Sequence, residues 1–214
     1  MRRATSRRYG AGVYNAMTTP AAADQPAAEP SAAPPADAAG EPRPAETEAS
    51  AEEFRAALGQ LASGVVLLAV HDPEEGARGE DIGMTATAFM SVSLDPPLVL
   101  VSVREDSRMD DALSRVDHWA VSVLAAEQRV TAARFAMKGR VSDRLLFADL
   151  PHERGTASGA PLVSDALATV ECRTEQRIPA GDHVLLIGRV LSARLGRPSS
   201  GPLTYFRGQY RQLA

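Results

Sequence analysis

Cysteine is scarce in this chain of 214 residues, which also has no excess of positive charge and no long apolar segment. With one cysteine, Cys172, the chain cannot form an internal disulfide, which is typical of proteins of the reducing cytoplasm. The formal net charge of −4 provides no excess of basic groups for nucleic acid. The longest apolar runs, residues 65–70 and 97–103, are too short to cross a membrane. We therefore expect a cytoplasmic protein that binds neither nucleic acid nor a membrane.

The beginning of the chain has few residues that could form a core. From Thr18 to Glu48 the sequence consists mainly of Ala, Pro and acidic residues and has no aromatic residue. Such a segment buries too little apolar surface to offset its ordering entropy. The sequence predicts a disordered tail over residues 1–49 and one domain over residues 50–214. The arginines before Thr18 are not followed by the apolar core of a secretory signal, and a translation start at Met17 is an alternative.

The domain begins with a predicted helix and continues mainly as strands. Ser50 and Glu53 form a capping box before a helical stripe of Phe54, Leu58 and Leu61, with Gly64 at the predicted end. Further short helices are predicted over residues 107–116 and 127–137. Strands are predicted near residues 65–71, 83–94, 98–104, 118–124, 166–177 and 183–195. Because few helices separate these strands, we predict an antiparallel, Greek-key-like barrel, which would bind a ligand on its outside or between subunits.

One predicted strand has an unusual polar face. Within residues 83–94, apolar side chains alternate with Thr85, Thr87, Ser91 and Ser93, which flank the aromatic Phe89. A face that simply meets water usually includes Lys, Glu or Arg, whereas this one has only short neutral groups. The composition of this face is therefore unusual for a strand that only meets water.

Three later segments are weak signals when taken singly. Ser107 at a helix N-terminus, between Arg104 and Arg108, could bind a phosphate or could only cap the helix. His183 follows a Gly-Asp turn and could be a ligand contact or an ordinary turn residue. The segment "GPLTYFRGQY" near the end of the chain could be edge packing. Cys172 lies in an alternating segment and is predicted to be a core residue rather than a nucleophile.

In this order, these segments resemble the flavin reductase-like family, the NAD(P)H:flavin oxidoreductases that serve two-component flavin-dependent monooxygenases. The resemblance covers Phe54 to Tyr210 and is strongest in "GMTATAFMSVSLDPPLVLVSV", the Ser-Arg pair at 107, "GDH" at 181–183 and "GPLTYFRGQY". It implies a split β-barrel FMN-binding fold with a few short helices. It also implies a homodimer with one FMN or FAD bound in each subunit.

The resemblance also implies roles for individual residues. His183 is the predicted catalytic residue and, with Arg207 and Tyr210, would contact the nicotinamide donor. Phosphate contacts map to Arg104, Ser107, Arg108 and, most loosely, Lys138. The remaining flavin-binding positions are Thr85, Ala86, Thr87, Ala88, Phe89, Ser91, Val92, Ser93, Ser102, Phe135 and Ala136.

The implied reaction is reduction of FMN or FAD by NADH or NADPH, followed by release of the reduced flavin to a partner monooxygenase. The "GAG" at residues 10–12 lacks the third glycine of a dinucleotide-binding fingerprint, so the nicotinamide would dock against the flavin itself. No metal is expected. Two alternatives stay open: a split-barrel enzyme that retains its flavin and oxidises its own substrate, and a flavin-binding module without catalysis. The sequence leaves the choice of flavin, of nicotinamide donor and of oxygenase open.

Overall fold

The computed structural model describes residues 48–137, 139, 142–196 and 201–213. Its helices are α1 (Ala51–Leu58), α2 (Arg108–Arg115), α3 (Arg129–Ala136) and α4 (Asp143–Ala148). Its strands are β1 (Ser63–Gly64), β2 (Val66–Asp72), β3 (Glu80–Ala86), β4 (Phe89–Leu94), β5 (Pro97–Arg104), β6 (His118–Val123), β7 (His152–Arg154), β8 (Pro161–Val163), β9 (Ala168–Ala180), β10 (His183–Leu195), β11 (Leu203–Phe206) and β12 (Gln209–Gln212). The predicted tail lies outside the described residues except for Glu48 and Ala49, and it stays a prediction.

A seven-stranded antiparallel sheet forms the barrel, in the order β3-β2-β6-β9-β10-β5-β4. The strands at its two ends, β3 and β4, are consecutive in the chain and are joined through Thr87 and Ala88. The Ser102 N–H of β5 donates a hydrogen bond to the Ala88 carbonyl at 3.1 Å, so the sheet curls back upon itself at this point. The predicted antiparallel split barrel is confirmed.

Strand β2 explains why the barrel has apolar side chains on both of its faces. Its alternate residues Val66, Leu68 and Val70 belong to an inner core that also contains the fully buried Trp119. The intervening residues and Val65 pack with Phe135 of α3 in a second core, outside the barrel. A continuous apolar run is the expected pattern for a strand that is buried on both faces.

The inner core is tightly packed, and its one cysteine is unreactive. Cys172 is fully buried there, and burial, with a smaller contribution from Glu171, raises the pKa of its thiol to about 12. The thiolate is the reactive form of cysteine, and the raised pKa keeps this thiol protonated. Cys172 is therefore a core residue rather than a nucleophile, as predicted. Trp119 lies so close to Gly188 of β10 that a β-carbon at that position would overlap the indole ring. Glycine is therefore the residue that allows this ring to pack against the strand.

The first helix agrees only in part with its prediction. The capping box is present, with the Ser50 hydroxyl accepting from the Glu53 N–H at 3.2 Å. The helix ends at Leu58 with Gly59 as its cap, five residues before the predicted Gly64, because the Gly59 N–H closes the last turn on helix carbonyls. Phe54, like the rest of α1, is exposed, so the apolar stripe is not buried within the described chain.

The predicted strand over residues 83–94 is two strands. The chain leaves its partner β2 after Ala86 and pairs with β5 from Phe89 onward. An irregularity between Ser91 and Ser93 also shifts the register, so that these two residues no longer lie on the same face of the sheet. The prediction of one continuous hydroxyl face was therefore wrong, because local alternation contains no information about a change of partner. Residues 142–163, for which no elements were predicted, contain α4, β7 and β8.

No helix in the described part of the chain is long and apolar enough to cross a membrane.

Candidate active site

A pocket of about 150 Å³ lies where β3 ends, outside the inner core. It joins three segments that are far apart in the sequence: the end of β3, the end of α3 and the hairpin β11–β12. Its lining residues are Val65, Thr85, Ala86, Thr87, Ala136, Tyr205 and Tyr210. Five of these were predicted to contact flavin or nicotinamide, so the structure brings together predicted residues that the sequence separates by more than a hundred positions.

Val65 and Tyr205 were not predicted to be site residues. Tyr205 is the register partner of Tyr210 across the hairpin, and the two rings meet edge to face, with centroids 5.4 Å apart at 67°. The segment "LTYFRGQY" contained the signal, since a hairpin with four residues between the two tyrosines places them opposite each other. Together they form an aromatic wall of the pocket.

The Tyr210 hydroxyl group is hydrogen-bonded to the side chain of Thr85. Burial raises the pKa of Tyr210, and the nearby Tyr205 raises it further, whereas Arg129 and the bond to Thr85 lower it. The phenol is therefore neutral at physiological pH. The pocket offers neutral hydroxyl groups next to aromatic surface, which suits a ring that has both polar edges and an apolar face.

The rest of the predicted flavin-binding strand lies beyond this pocket. Ala88 is exposed, Phe89 packs partly against the inner core, and Ser91 and Val92 are exposed on β4. Ser93 of β4 and Ser102 of β5 are both partly exposed. Phe135, by contrast, is buried in the second core against Phe147, with ring centroids 5.0 Å apart, so its side chain supports α3 from within.

The predicted phosphate residues meet at the start of α2, but two of them have other partners. The Ser107 hydroxyl accepts from the Asp110 N–H at 3.2 Å and caps the helix. One guanidinium nitrogen of Arg108 lies 2.8 Å from the Asp143 carboxylate, which is fully buried. Its other terminal nitrogen lies 3.2 Å from a Glu80 carboxylate oxygen. Arg104 is exposed at the end of β5, and Lys138 lies outside the described residues.

His183 begins β10 directly opposite Arg104 of β5, and its ring does not line the pocket. Its Nδ1 atom lies 2.7 Å from the Asp182 carboxylate, and this hydrogen bond is the largest cause of a lowered pKa of Asp182. The carboxylate holds one side of a half-exposed imidazole, which leaves the other ring nitrogen for a ligand.

Arg207 occupies the turn of the β11–β12 hairpin with a positive φ of 49°. Its backbone N–H donates to the Gly59 carbonyl at 3.0 Å, and its Nε donates to the Gln60 side chain at 2.9 Å. The guanidinium also lies over the Phe206 ring at 5.0 Å. The predicted nicotinamide residues are thus in three places: Tyr210 in the pocket, Arg207 at the hairpin turn, and His183 on the main sheet.

Larger surface depressions, of about 430 and 390 Å³ around Arg115 and about 300 Å³ around Arg194, contain none of the predicted site residues. Arg115 itself is paired with the buried Asp72 carboxylate at 2.6 Å. The pocket of Thr85 and Tyr210 is therefore the candidate site, although its volume is smaller than the roughly 300–1,000 Å³ of typical ligand sites.

An antiparallel split barrel that gathers hydroxyl groups and two tyrosines on its outer side belongs to the class of flavin-binding barrels. Comparison with known proteins gives the particular family. The family model described as "Flavin reductase like domain" matches residues 58–214. The chain belongs to this flavin reductase-like family.

Individual relatives agree with this assignment. The NADH-dependent FMN reductase AsuE2 of Streptomyces nodosus subsp. asukaensis is 39% identical over 184 residues, which cover 82% of this chain and 91% of the relative. The reductase component of a 4-hydroxyphenylacetate 3-monooxygenase from Thermus thermophilus is 37% identical, covering 76% of this chain and 96% of the relative. The solved structure of BorF, the flavin reductase component of a bacterial two-component tryptophan halogenase, is 37% identical with a TM-score of 0.69, covering 77% of this chain and 98% of BorF.

The predicted enzyme class is thereby confirmed: the protein is a flavin reductase that uses a flavin and a nicotinamide donor. The residues present fit a flavin. Thr85 and Thr87 place hydroxyl groups in the pocket that would suit its polar edge, Tyr205 places aromatic surface there, and Arg104 is an exposed cation that would suit a phosphate.

Proposed function

We propose that this protein uses NADH to reduce FMN and releases the reduced flavin to a flavin-dependent monooxygenase in the cytoplasm. The observation that carries this proposal is the shallow outer pocket between Thr85 and the two tyrosines. An open pocket of about 150 Å³ covers only part of a flavin, which favours exchange with solvent over permanent retention. The names of the relatives, an NADH-dependent FMN reductase and the reductase component of a monooxygenase, support the donor, the flavin and the partner.

Each segment of the site has a proposed role. A bound flavin supplies the hydride-accepting chemistry. Thr85 and Thr87 would hold its polar edge, with the hydroxyl of Thr85 oriented by Tyr210. His183, fixed on one side by Asp182, would orient the carboxamide of the donor through its free ring nitrogen. Arg104, opposite His183 in the sheet, would meet a phosphate.

We also propose that the active protein is a homodimer. A pocket this shallow leaves one side of the flavin ring exposed to water, and a second copy could supply the missing surface. Apolar side chains that the described chain leaves exposed, such as Phe54, Met90 and Leu94, support this proposal.

The test is steady-state oxidation of NADH and of NADPH, each with riboflavin, FMN and FAD in turn. We expect NADH with FMN to give the highest kcat/KM. Gel filtration of the FMN-loaded protein, with detection of flavin absorbance, then separates release from retention. A flavin that co-elutes fully with the protein after reduction would contradict the release step. No oxidation of either donor with any flavin would refute the proposed activity.

A further inference from the structure

Gly83 lies in the middle of β3, where a strand normally has a side chain to pack. It is buried, and its neighbours Ile82 and Met84 face the inner core, so position 83 faces the outer side of the barrel. Its φ lies outside the left-handed region, so the backbone conformation does not require glycine. A glycine inside a strand weakens the strand and often marks a place where another group comes close. The reason for this glycine therefore lies in what packs against it.

Two phenylalanine rings fill the space beside Gly83. A β-carbon added there would lie 2.8 Å from a ring atom of Phe135 and 2.8 Å from a ring atom of Phe147. Both rings are buried in the second core, with centroids 5.0 Å apart. The register partner of Gly83 on β2 is Ala69, a small residue of the same core. Because neither strand has a large side chain in this row, the rings can pack directly against the sheet.

These rings lie next to the candidate site. Thr85 follows Gly83 by two residues, so both face the same side of β3, and Thr85 lines the pocket. Ala136 follows Phe135 directly at the end of α3 and also lines the pocket. The Phe135 ring is therefore a spacer between β3 and the end of α3. How closely this ring approaches Gly83 sets how far apart two parts of the pocket wall lie.

We infer that Gly83 is a positioning residue of the flavin pocket. Because it has no side chain, it lets the Phe135 ring pack against β3 and so fixes the place of Ala136 in the pocket wall. The inference rests on the proposed flavin site. It adds to that site a residue that does not itself line the pocket and was not among the predicted flavin-binding positions.

A methyl group at position 83 would displace the Phe135 ring directly, because the added carbon would overlap this ring whatever Phe147 does. Carbon atoms in contact normally lie about 3.5–4.0 Å apart, so the displacement is about 1 Å. The ring is buried in a packed core and cannot simply turn aside. Phe147 offers little relief, since His152 meets its ring edge to face with centroids 5.6 Å apart. Because Phe135 and Ala136 are consecutive residues of α3, the pocket wall would shift with the ring.

The effect on binding follows from the part of the flavin that the pocket would hold. Riboflavin, FMN and FAD share the isoalloxazine ring and differ only beyond the ribityl chain. A shifted wall should therefore weaken the binding of all three to a similar degree. Because a misplacement of about 1 Å has a large effect on fit, we expect the dissociation constants to rise about tenfold or more in Gly83→Ala. A defect in phosphate binding would spare riboflavin instead.

Flavin fluorescence titration tests this expectation with a matched control, Gly188→Ala. The β-carbon added in the control would overlap the Trp119 ring in the inner core, so both variants crowd a buried aromatic ring. Neither Gly188 nor Trp119 lines the pocket. Melting followed by circular dichroism would set a temperature at which both variants are folded. We expect both to melt below the parent, and flavin affinity to fall in Gly83→Ala alone.

Removing part of Phe147 should reverse the defect. In Gly83→Ala/Phe147→Leu, the smaller leucine leaves space into which the Phe135 ring can turn while α3 keeps its place. Flavin affinity should therefore return toward that of the parent. Phe147→Leu alone should bind flavin like the parent, because no residue of α4 lines the pocket.

A second pair of variants keeps the inference testable if Gly83→Ala does not fold. Phe135→Leu and Phe147→Leu each shorten one ring of the same core, yet only Phe135 is joined directly to the pocket wall. The dissociation constant for each flavin should therefore rise about tenfold in Phe135→Leu and stay near that of the parent in Phe147→Leu.

The outcomes separate this inference from the proposed function. Affinity that is lost in Gly83→Ala, kept in Gly188→Ala and regained with Phe147→Leu supports it. The inference is overturned if folded Gly83→Ala binds flavin like the parent, if both glycine variants lose affinity equally, or if only the KM for NADH changes. Equal affinities of Phe135→Leu and Phe147→Leu also overturn it. The titration needs no turnover, so a parent that binds flavin but oxidises neither donor refutes the proposed activity and leaves the inference standing.

Discussion

Replacing Arg108 by alanine should destabilise the protein, because Arg108 neutralises a buried carboxylate. Asp143 is fully buried, and its carboxylate lies 2.8 Å from the Arg108 guanidinium. Removing one member of a buried ion pair typically costs about 3–5 kcal/mol. The Arg108 side chain is itself 50% exposed, so solvent screens part of the interaction, and about 1–3 kcal/mol is the better expectation.

Thermal unfolding of four proteins measures this effect. In a domain of this size, each kcal/mol corresponds to about 2–4 °C in Tm. The proteins are the parent, Arg108→Ala, Asp143→Asn and the double variant. If the loss comes from the weaker neutralisation of the Asp143 charge, the double variant should melt above Arg108→Ala, since Asn carries no charge that needs a counter-ion. An Arg108→Ala protein that melts like the parent would refute the argument.

The same variants separate stability from phosphate binding. A charge-assisted contact to the FMN phosphate is worth about 1.5–3 kcal/mol, and riboflavin has no phosphate. If Arg108 also binds the phosphate, the double variant should bind FMN more weakly while its affinity for riboflavin is unchanged. If the substitution changes neither the affinity for FMN nor the affinity for riboflavin, Arg108 has a structural role alone.

Three further predictions concern catalysis, the tail and the core. His183→Ala should lower kcat/KM for NADH about tenfold or more, because one hydrogen bond and the alignment of the donor are lost, while flavin affinity should stay nearly unchanged. If stopped-flow reduction of the bound flavin is unaltered, His183 does not belong to the site. Deleting residues 1–49 should leave turnover nearly unchanged, since the Ser50 cap survives, and a large loss of activity would show that the tail takes part. Gly188→Ala should lower Tm, because its β-carbon would overlap Trp119, and overpacking costs typically about 1–3 kcal/mol; a melting temperature equal to the parent's would show that the ring moves freely.

Several parts of the site could be predicted because their signals are local. The capping box of α1 needs only Ser50 and Glu53, three residues apart. The hydroxyl groups of Thr85 and Thr87 were recognisable by their position in an alternating segment, and both line the observed pocket. The pairing of Tyr205 with Tyr210 was present in the sequence but was missed, since its meaning depends on where the hairpin packs.

Other features were not predictable because they depend on distant partners. The chain changes partner from β2 to β5 between Ala86 and Phe89, although the alternation of residue types continues without interruption. A pattern with a period of two describes one strand and cannot indicate which strand lies beside it. Arg108 likewise reads as a phosphate ligand when only its neighbour Ser107 is considered, whereas Asp143, 35 positions later, is its closest partner.

By itself, the sequence determined the antiparallel barrel, the family and the residue types of the flavin site. The barrel follows from hydrophobic periodicity, and the family and the candidate flavin residues follow from the resemblance of short motifs; in both cases each residue is read together with close neighbours along the chain. Only the tertiary structure decided that Thr85, Ala136 and Tyr210 share one pocket, and that Leu100 and Ile187 lie opposite each other on β5 and β10. Both facts arise from strand pairing between distant segments, whose free energy depends on the packing of the whole sheet rather than on local preference.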